Sequence, residues 1–461
     1  MAFADLREYL TALEKTEQLS RVKKKVSPIY ELPAVIERTI SRQGPALLFE
    51  NVEGSDIPLV GNLFTTREMI AFALGWQEKD LLHRWMKCLD EPIPPVMVKT
   101  GPCKEVHISK PDLTHFPIPV LWHEGDGGPY ITFAQFVTKD PDTGRRNVGI
   151  YRLEVKGPTR VGASIAFTHH GAVNQKKNEM RGRDCEFALA IGTEPASYLA
   201  TQATVGHGED EYALAGALRG EPLELVRCET VDLEVPAHAE IVMEGKILAK
   251  QLADEGPFGE WTGFVSGRAP RPVAEIMHIS HRKNPIYTVA YEGYPVYGLS
   301  TILQQVAREP EWFRVIRSQT CPTIKDIHIT LGGCACLIAI VSIRKTAEGQ
   351  AKNVILDLLR EPGVKVAIIV DDDIDIRNMD MVQWALATRM QPASDVLVIP
   401  EAAGMRLDPS QPDFPSGITS KMGIDATWPI NKEIPARAKV PDDMAKRVAQ
   451  DWDSYGIILG R

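Results

Sequence analysis

The chain has 461 residues, 44% hydrophobic and 25% charged, with a formal net charge of −9. This is ordinary globular composition with length for about three domains. It has no basic stripe to neutralise phosphates, so no nucleic-acid partner is expected, and no apolar run of membrane-spanning length.

In chain order, the N-terminus lacks the basic flank and apolar stretch of a secretory signal. Leu6, Tyr9, Leu10 and Leu13 share one helical face. Residues 45–50 read as a strand. Thr66 is placed to cap a helix that Gly75 closes. Residues 1–115 are read as an N-terminal α/β domain ending in a linker broken by prolines from Pro92 to Pro119. The triplet Lys23-Lys24-Lys25 reads as an exposed strand end.

Strands dominate from about Tyr130 to Ala290. β-rich runs occur at 131–137, 148–155, 161–167, 240–244, 273–279 and 286–290, separated by turn signals, which points to an antiparallel sheet or barrel. A helix over 301–317 follows, with Pro310 expected to kink or restart it. The last third alternates strand (336–343, 364–370, 395–399) with helix (354–360, 381–388), an α/β sheet pattern. The tail after Asp408 shows little periodicity. Seven scattered cysteines, with Cys334 and Cys336 the one close pair, read as buried free thiols, so a reducing cytoplasmic location is expected.

Several nucleotide and hydrolase signatures are missing: there is no P-loop, no Rossmann glycine turn and no G-x-S-x-G elbow. The most informative stretch is Glu255-Gly-Pro-Phe-Gly-Glu260. It places two carboxylates around a turn that cannot continue a helix, so loop geometry is expected to hold them. Phe258 and Trp261 supply an apolar wall of the kind that raises a carboxyl pKa toward the working pH. By itself such a motif reads first as a surface turn with two solvated acids, and only the rest of the chain tilts the balance.

Asn147-Val-Gly-Ile-Tyr-Arg152, read as a single strand, puts Asn147, Gly149 and Tyr151 on one face and Val148, Ile150 and Arg152 on the other. An arginine among Ile and Val needs a carboxylate if it is buried. An acidic substrate or the Glu255/Glu260 pair could provide it, and an exposed arginine on an edge strand is the plain alternative. Thr168-His169-His170 follows a strand, and adjacent histidines there point apart. Glu211 opens a helix, where an acid suits the dipole. Asn, His and Glu would together suit Mn²⁺ or Mg²⁺, which spacing alone does not establish. The acids Asp371-Asp372-Asp373 and Asp375 follow a strand. They are read as a solvated loop capping the next helix, with ion or substrate binding as the alternative.

Taken in order, Asn147–Arg152, Thr168-His169, Glu211 and Glu255–Glu260 resemble the UbiD-type family of prenylated-FMN-dependent decarboxylases. The resemblance extends to residues 235–245, Asp371–Asp375 and residues 420–427. It implies an α/β fold in three parts. A central split β-barrel, similar to flavin reductases, would occupy residues 116–298 and hold cofactor and metal. A linker helix would span 299–318 and a C-terminal α/β oligomerisation domain 319–461, assembling a homodimer or homohexamer. By the same resemblance, Asn147, His169 and Glu211 hold Mn²⁺ (or Mg²⁺) against the flavin phosphate, with K⁺ nearby. Val148, Gly149, Ile150, Tyr151, Arg152 and Thr168 contact prenylated FMN. Arg152, Glu255 and Glu260 form the catalytic network, with Glu260 the proton donor.

The implied activity is non-oxidative, reversible decarboxylation of an aromatic, heteroaromatic or α,β-unsaturated carboxylic acid, with CO₂ as co-product. A flavin prenyltransferase would supply the cofactor. Two alternatives stand beside it. A flavin-dependent oxidoreductase would have no need of the Glu–Arg–Glu set. A non-catalytic subunit of a multi-protein carboxylase would be expected to lack one of those three residues.

Overall fold

A computed structural model of the chain describes residues 3–167, 169–203 and 209–457. The first helix, Leu6–Lys15, buries Leu6, Tyr9, Leu10 and Leu13 on the expected face, and the Asp5 carboxylate caps it through the Glu8 N–H at 2.8 Å. Thr66 caps helix Arg67–Ala73, its hydroxyl accepting the Met69 N–H at 3.1 Å. Strands Leu19–Val22, Ala46–Phe49 and Leu59–Gly61 form a sheet whose fourth strand, Tyr287–Thr288, returns from far along the chain to lie parallel to Leu59–Gly61.

The central sheet has nine strands, paired antiparallel throughout and curled into a half-barrel. Its spine is the pair Ile241–Glu255 and Ala269–His281. The first of these far exceeds the short strand read at 240–244. Lys246 to Asp254 carries little apolar alternation and is half-buried or exposed apart from Ile247, so periodicity gives no sign of it. Glu255 therefore ends a strand rather than sitting in a loop.

The strand read at 148–155 is two strands, Arg146–Ile150 and Arg152–Val155. The first pairs with Gln135–Lys139, the second with Arg160–Ser164 and Tyr130–Ile131. The two-face alternation therefore stops at Tyr151, where the chain passes from one neighbour to another. The run at 131–137 likewise divides into Tyr130–Ile131 and Gln135–Lys139.

Helix Leu299–Gln319 runs unbroken through Pro310. The proline forfeits one backbone hydrogen bond, but Leu303, Val306, Phe313 and Ile316 are buried on both sides of it and carry the helix across. The C-terminal sheet has the order Ile324–Ile329, Ile338–Ile343, Val366–Asp371, Ile418–Ala426, Val396–Ala403, with parallel inner pairs and antiparallel edges. Ile418–Ala426 escaped the sequence reading because a lysine sits in its middle. Lys421 is buried, and its Nζ donates to the Leu359 and Glu361 carbonyls at 2.7 Å each, closing the end of helix Gln350–Leu359.

The acids after Val370 lie largely at the surface, as expected, but they pair with arginines and do not cap the next helix. Asp371 and Asp373 grip the buried Arg389 at 2.6 to 2.9 Å, Asp372 takes Arg344 at 2.8 Å, and Asn378 caps the next helix instead. All seven cysteines are free. No described helix is long and apolar enough to cross a membrane.

Candidate active site

The break at Tyr151 lets the next residue turn toward the end of the long strand. Arg152 donates from Nε to Glu255 Oε1 at 2.8 Å and from Nη2 to Glu255 Oε2 at 3.0 Å, a bidentate fork, and its remaining arm, Nη1, meets Glu260. The guanidinium lies over the Phe258 ring, 5.1 Å from its centroid. Glu255 is fully buried, while Arg152 and Glu260 keep a little exposure. Burial opposes the Arg152 charge, but Glu260 and Glu255 outweigh it and hold its pKa above the ordinary value. The three residues singled out for catalysis thus meet, although they come from two strands and a turn.

The same strand fixes the turn itself. Glu154, buried two residues after Arg152, accepts the Gly256 N–H at 2.8 Å and the Tyr130 hydroxyl at 3.3 Å, and pairs with Lys156. The Pro257 carbonyl accepts from Gly127 N–H at 2.8 Å and from Tyr130 hydroxyl at 3.2 Å, and Arg268 Nε donates to the Gly256 carbonyl at 3.1 Å.

On the far side of Glu260 lie groups the sequence did not mark. His123 is wedged between two glycines: a Cβ on Gly259 would come within 2.4 Å of its ring, and one on Gly293 within 2.5 Å. Both ring nitrogens are buried and without hydrogen-bond partners. Next to Gly293, Glu292 accepts a hydrogen bond from the Ser300 hydroxyl at Oε1, while its Oε2 is buried and unpartnered. Burial, only partly offset by the Ser300 bond and reinforced by the charge of Glu260, pushes the Glu292 carboxyl up to about 8. Exposed Phe264 and Tyr294 flank the turn: the Phe264 carbonyl accepts the Glu260 N–H at 2.8 Å, and Tyr294 faces Gly263. No motif announces Glu292 or His123, because each is an isolated polar residue in an irregular segment.

A second group forms where Arg146–Ile150 meets helix Glu211–Arg219. Glu211 is buried at the first turn of that helix, accepting from Asn147 Nδ2 at 2.9 Å and from the Val148 N–H at 3.0 Å. Burial raises its carboxyl to about 7 against those hydrogen bonds. Asn147 Oδ1 is buried and unpaired. A cavity of about 20 Å³, the size of one small guest, lies beside Asn147, bordered by Asp140, Arg146, His170, Asn174 and Glu209.

His169 occupies the N-cap position of helix His170–Met180 without a side-chain capping bond and stands beside the buried Tyr151, ring centroids 5.6 Å apart. Partial desolvation, then His170 and Arg308, lower its pKa and favour the neutral imidazole. Asn147 and Glu211 are brought into contact. Among the described residues no three His, Cys, Asp or Glu side chains converge, and His169 stands on the Tyr151 side of this group. Gly149 packs against Tyr151, where any Cβ would meet the phenol oxygen at 2.7 Å, and Ile150 is half-buried. Thr168 lies outside the described residues.

An orphaned amide oxygen and a buried carboxylate with no ion pair among the described residues suit a hard divalent ion. Asn147 and Glu211 thus fit part of the donor set expected for a metal.

Comparison with known proteins bears on these residues. Models of the 3-octaprenyl-4-hydroxybenzoate carboxy-lyase family match in tandem: the N-terminal domain over residues 10–89, the Rift-related domain over 95–295 and the C-terminal domain over 301–426. An uncharacterized protein of Archaeoglobus fulgidus is 36% identical over 474 residues, covering 95% of this chain and 97% of its own. Among solved structures, the UbiD-class enzyme HmfF of Pelotomaculum thermopropionicum in complex with FMN is 41% identical, with a TM-score of 0.90 over 97% of this chain and 99% of that one. An evolved dimeric form of HmfF, in complex with prFMN, is 39% identical with a TM-score of 0.85, covering 96% of this chain and all of that one. The open form of the vanillic acid decarboxylase of Sedimentibacter hydroxybenzoicus is 33% identical with a TM-score of 0.88, covering 99% and 100% of the two chains.

Proposed function

The chain belongs to the UbiD family and is a carboxy-lyase, and from that premise we propose that it decarboxylates, reversibly and without net oxidation, an aromatic, heteroaromatic or α,β-unsaturated acid on prenylated FMN. One observation carries the residue assignment: Arg152 is locked in a fork by the buried Glu255 while its free arm meets Glu260.

Arg152 binds the substrate carboxylate, for which a planar fork is suited. Glu255, sealed behind it, fixes its orientation and balances its charge. Glu260 is the proton donor to the carbon that CO₂ leaves. Phe258, beneath the guanidinium, and exposed Phe264 and Tyr294 line an aromatic surround matched to a flat, unsaturated acid. When bound, the prenylated flavin supplies the electron sink for decarboxylation. Asn147, His169 and Glu211 would hold Mn²⁺ or Mg²⁺ against its phosphate, with K⁺ nearby, so that the ion provides the positive charge that a chain of net charge −9 lacks overall. Val148 to Arg152 and Thr168 would border the flavin. Supply of the cofactor by a flavin prenyltransferase and self-assembly into a dimer or hexamer complete the proposal. The complete Glu–Arg–Glu set favours it over an oxidoreductase or a non-catalytic subunit.

The test is CO₂ release from a panel of furoic, pyrrole-, indole-, hydroxybenzoic and cinnamic-type acids, using protein co-produced with a flavin prenyltransferase. Release from at least one acid, absent in protein made without the prenyltransferase, is expected. Flavin-loaded protein that releases CO₂ from none of them, yet oxidises NAD(P)H, would overturn the reading.

A further inference from the structure

The mechanism above leaves Glu292 without a task, although it is a carboxyl beside the proton donor with one oxygen sealed from solvent and unpartnered. We propose that Glu292 stores the proton that Glu260 delivers, keeping it while Glu260 is paired to Arg152 and handing it over when a substrate carboxylate takes Arg152. The inference rests on the decarboxylase reading of the same site.

Its basis is the arrangement of three loops. Glu260 and Glu292 lie next to Gly259 and Gly293, and the His123 ring fills the space between those glycines so tightly that neither tolerates a Cβ. The two acids are thereby held in a fixed relation. Two neighbouring carboxyls do not readily ionise together, so the pair retains one proton. Arg152 decides where it sits: its free arm meets Glu260, which takes the charge, and the proton stays on Glu292. The other groups around Glu292 do not compete for this role. Ser300 donates to Oε1, the Tyr291 phenol is kept neutral by burial, His123 turns its Nδ1 toward Asp126 at 3.5 Å, and Arg152 pairs with Glu260.

Substrate binding reverses the assignment. A carboxylate arriving at Arg152 draws the guanidinium away, Glu260 loses its cation, and its affinity for a proton rises. The proton then passes from the Glu292 carboxyl to the Glu260 carboxylate. Glu260 gives it to carbon as the carbon–carboxyl bond breaks and CO₂ leaves, and the Glu292 carboxylate recovers a proton from solvent. One proton is consumed for each CO₂ released, as the overall reaction requires.

The decisive comparison is wild type against Glu292→Gln, which keeps the Ser300 contact but carries no acidic proton, and Glu292→Asp, which keeps the acid. Flavin-loaded wild type should lose kcat as pH rises through about 8, the value to which Glu292 is raised. Glu292→Gln should show kcat lower by about 10- to 100-fold, the modest end of acid–base effects, an upper limb displaced to lower pH, and recovery on adding formate or acetate buffer. Glu292→Asp should need no such rescue. An unchanged pH profile, or a loss that small acids do not restore, would overturn the proposal.

Thermal melting of the flavin-free proteins adds a readout independent of turnover. A carboxyl raised in the folded state stabilises most below its unfolded pKa and ceases to do so as pH rises through the folded value. The advantage of wild type over Glu292→Gln should therefore shrink from pH 5 to 8, and a constant difference would refute the stored proton. If wild type turns over no acid while this shrinking difference is seen, the decarboxylase reading fails and takes the relay with it, leaving only a buried neutral acid.

Discussion

Replacing Arg152 by alanine tests both the site and the physics that holds it. Glu255 is fully buried, and Arg152 supplies both of its close charge-assisted contacts, at 2.8 and 3.0 Å. Removing one partner of a buried pair costs about 3–5 kcal/mol, because the remaining charge is left in a poor solvent. Arg271 Nε stands 4.0 Å from Glu255 and softens the loss toward the lower end. For a unit of roughly 200 residues, about 3 kcal/mol corresponds to a melting point lower by roughly 6–12 °C. Stranded without its cation, Glu255 favours the neutral form, so the deficit should narrow as pH is lowered from 8 to 5. Adding Glu255→Gln should recover much of the loss, since an amide buries more cheaply than an unpaired carboxylate. Lysine at 152 should recover little activity, having no fork to share between two acids and a substrate. Melting curves across that pH range for the single and double variants, with substrate titrations of the flavin-loaded forms, decide the matter. If the single and double variants melt together at pH 7 and Arg152→Ala keeps its kcat and KM, Arg152 neither neutralises Glu255 nor meets substrate.

Three further outcomes are expected. Glu260→Gln should retain bound flavin yet lose about 10²–10⁴ in rate; decarboxylation at the wild-type rate would remove Glu260 from the chemistry. Glu211 is raised from 4.5 to about 7 by burial, which is worth about 3 kcal/mol of stability fully present below the unfolded pKa and lost as pH rises through 7. Glu211→Gln should abolish that pH dependence in metal-free protein, and Mn²⁺ should raise the melting temperature of wild type but not of the variant; equal Mn²⁺ stabilisation of both would exclude Glu211 as a ligand. Gly259→Ala would place a methyl 2.4 Å from the His123 ring, an overlap costing about 1–3 kcal/mol; His123→Ala on the same chain should restore the melting temperature, and failure to do so would mean the clash lies elsewhere.

Most of the layered fold was legible because apolar periodicity survives wherever a face is buried, as in Leu6–Lys15 and Ile338–Ile343. It failed where hydrogen bonding rather than burial sustains a strand. Half-buried or exposed residues dominate the second half of Ile241–Glu255, which is extended because Ala269–His281 pairs with it. It failed again in Ile418–Ala426, where one buried lysine replaces an apolar residue to satisfy helix-end carbonyls. The motif resemblance singled out residues that do meet, Arg152 with Glu255 and Asn147 with Glu211, yet the expected alternation of faces along Asn147–Arg152 was not how they came together. The strand breaks at Tyr151, and the break is what sends Arg152 to Glu255 while Asn147 stays with Glu211. Glu154, Glu292 and His123 were beyond reach, since their importance lies in contacts with residues distant in sequence.

Those contacts explain how a short glycine-rich turn can hold the Glu260 carboxylate, the proposed proton donor, in place. Such a turn has wide conformational freedom, and left alone it would lose far more entropy on ordering than Glu260 could regain from a single ion pair. The chain meets that cost with groups that hold the residues before Glu260. Glu154 and Tyr130 fasten Gly256 and Pro257 from one side, Arg268 holds the Gly256 carbonyl, and His123 packs against Gly259. Because Glu154 lies two residues from Arg152 on one strand, a single element sets both the cation and the turn that presents the acid to it. A shift of that strand would move donor and anchor together and preserve their spacing, which is the quantity that proton delivery depends on.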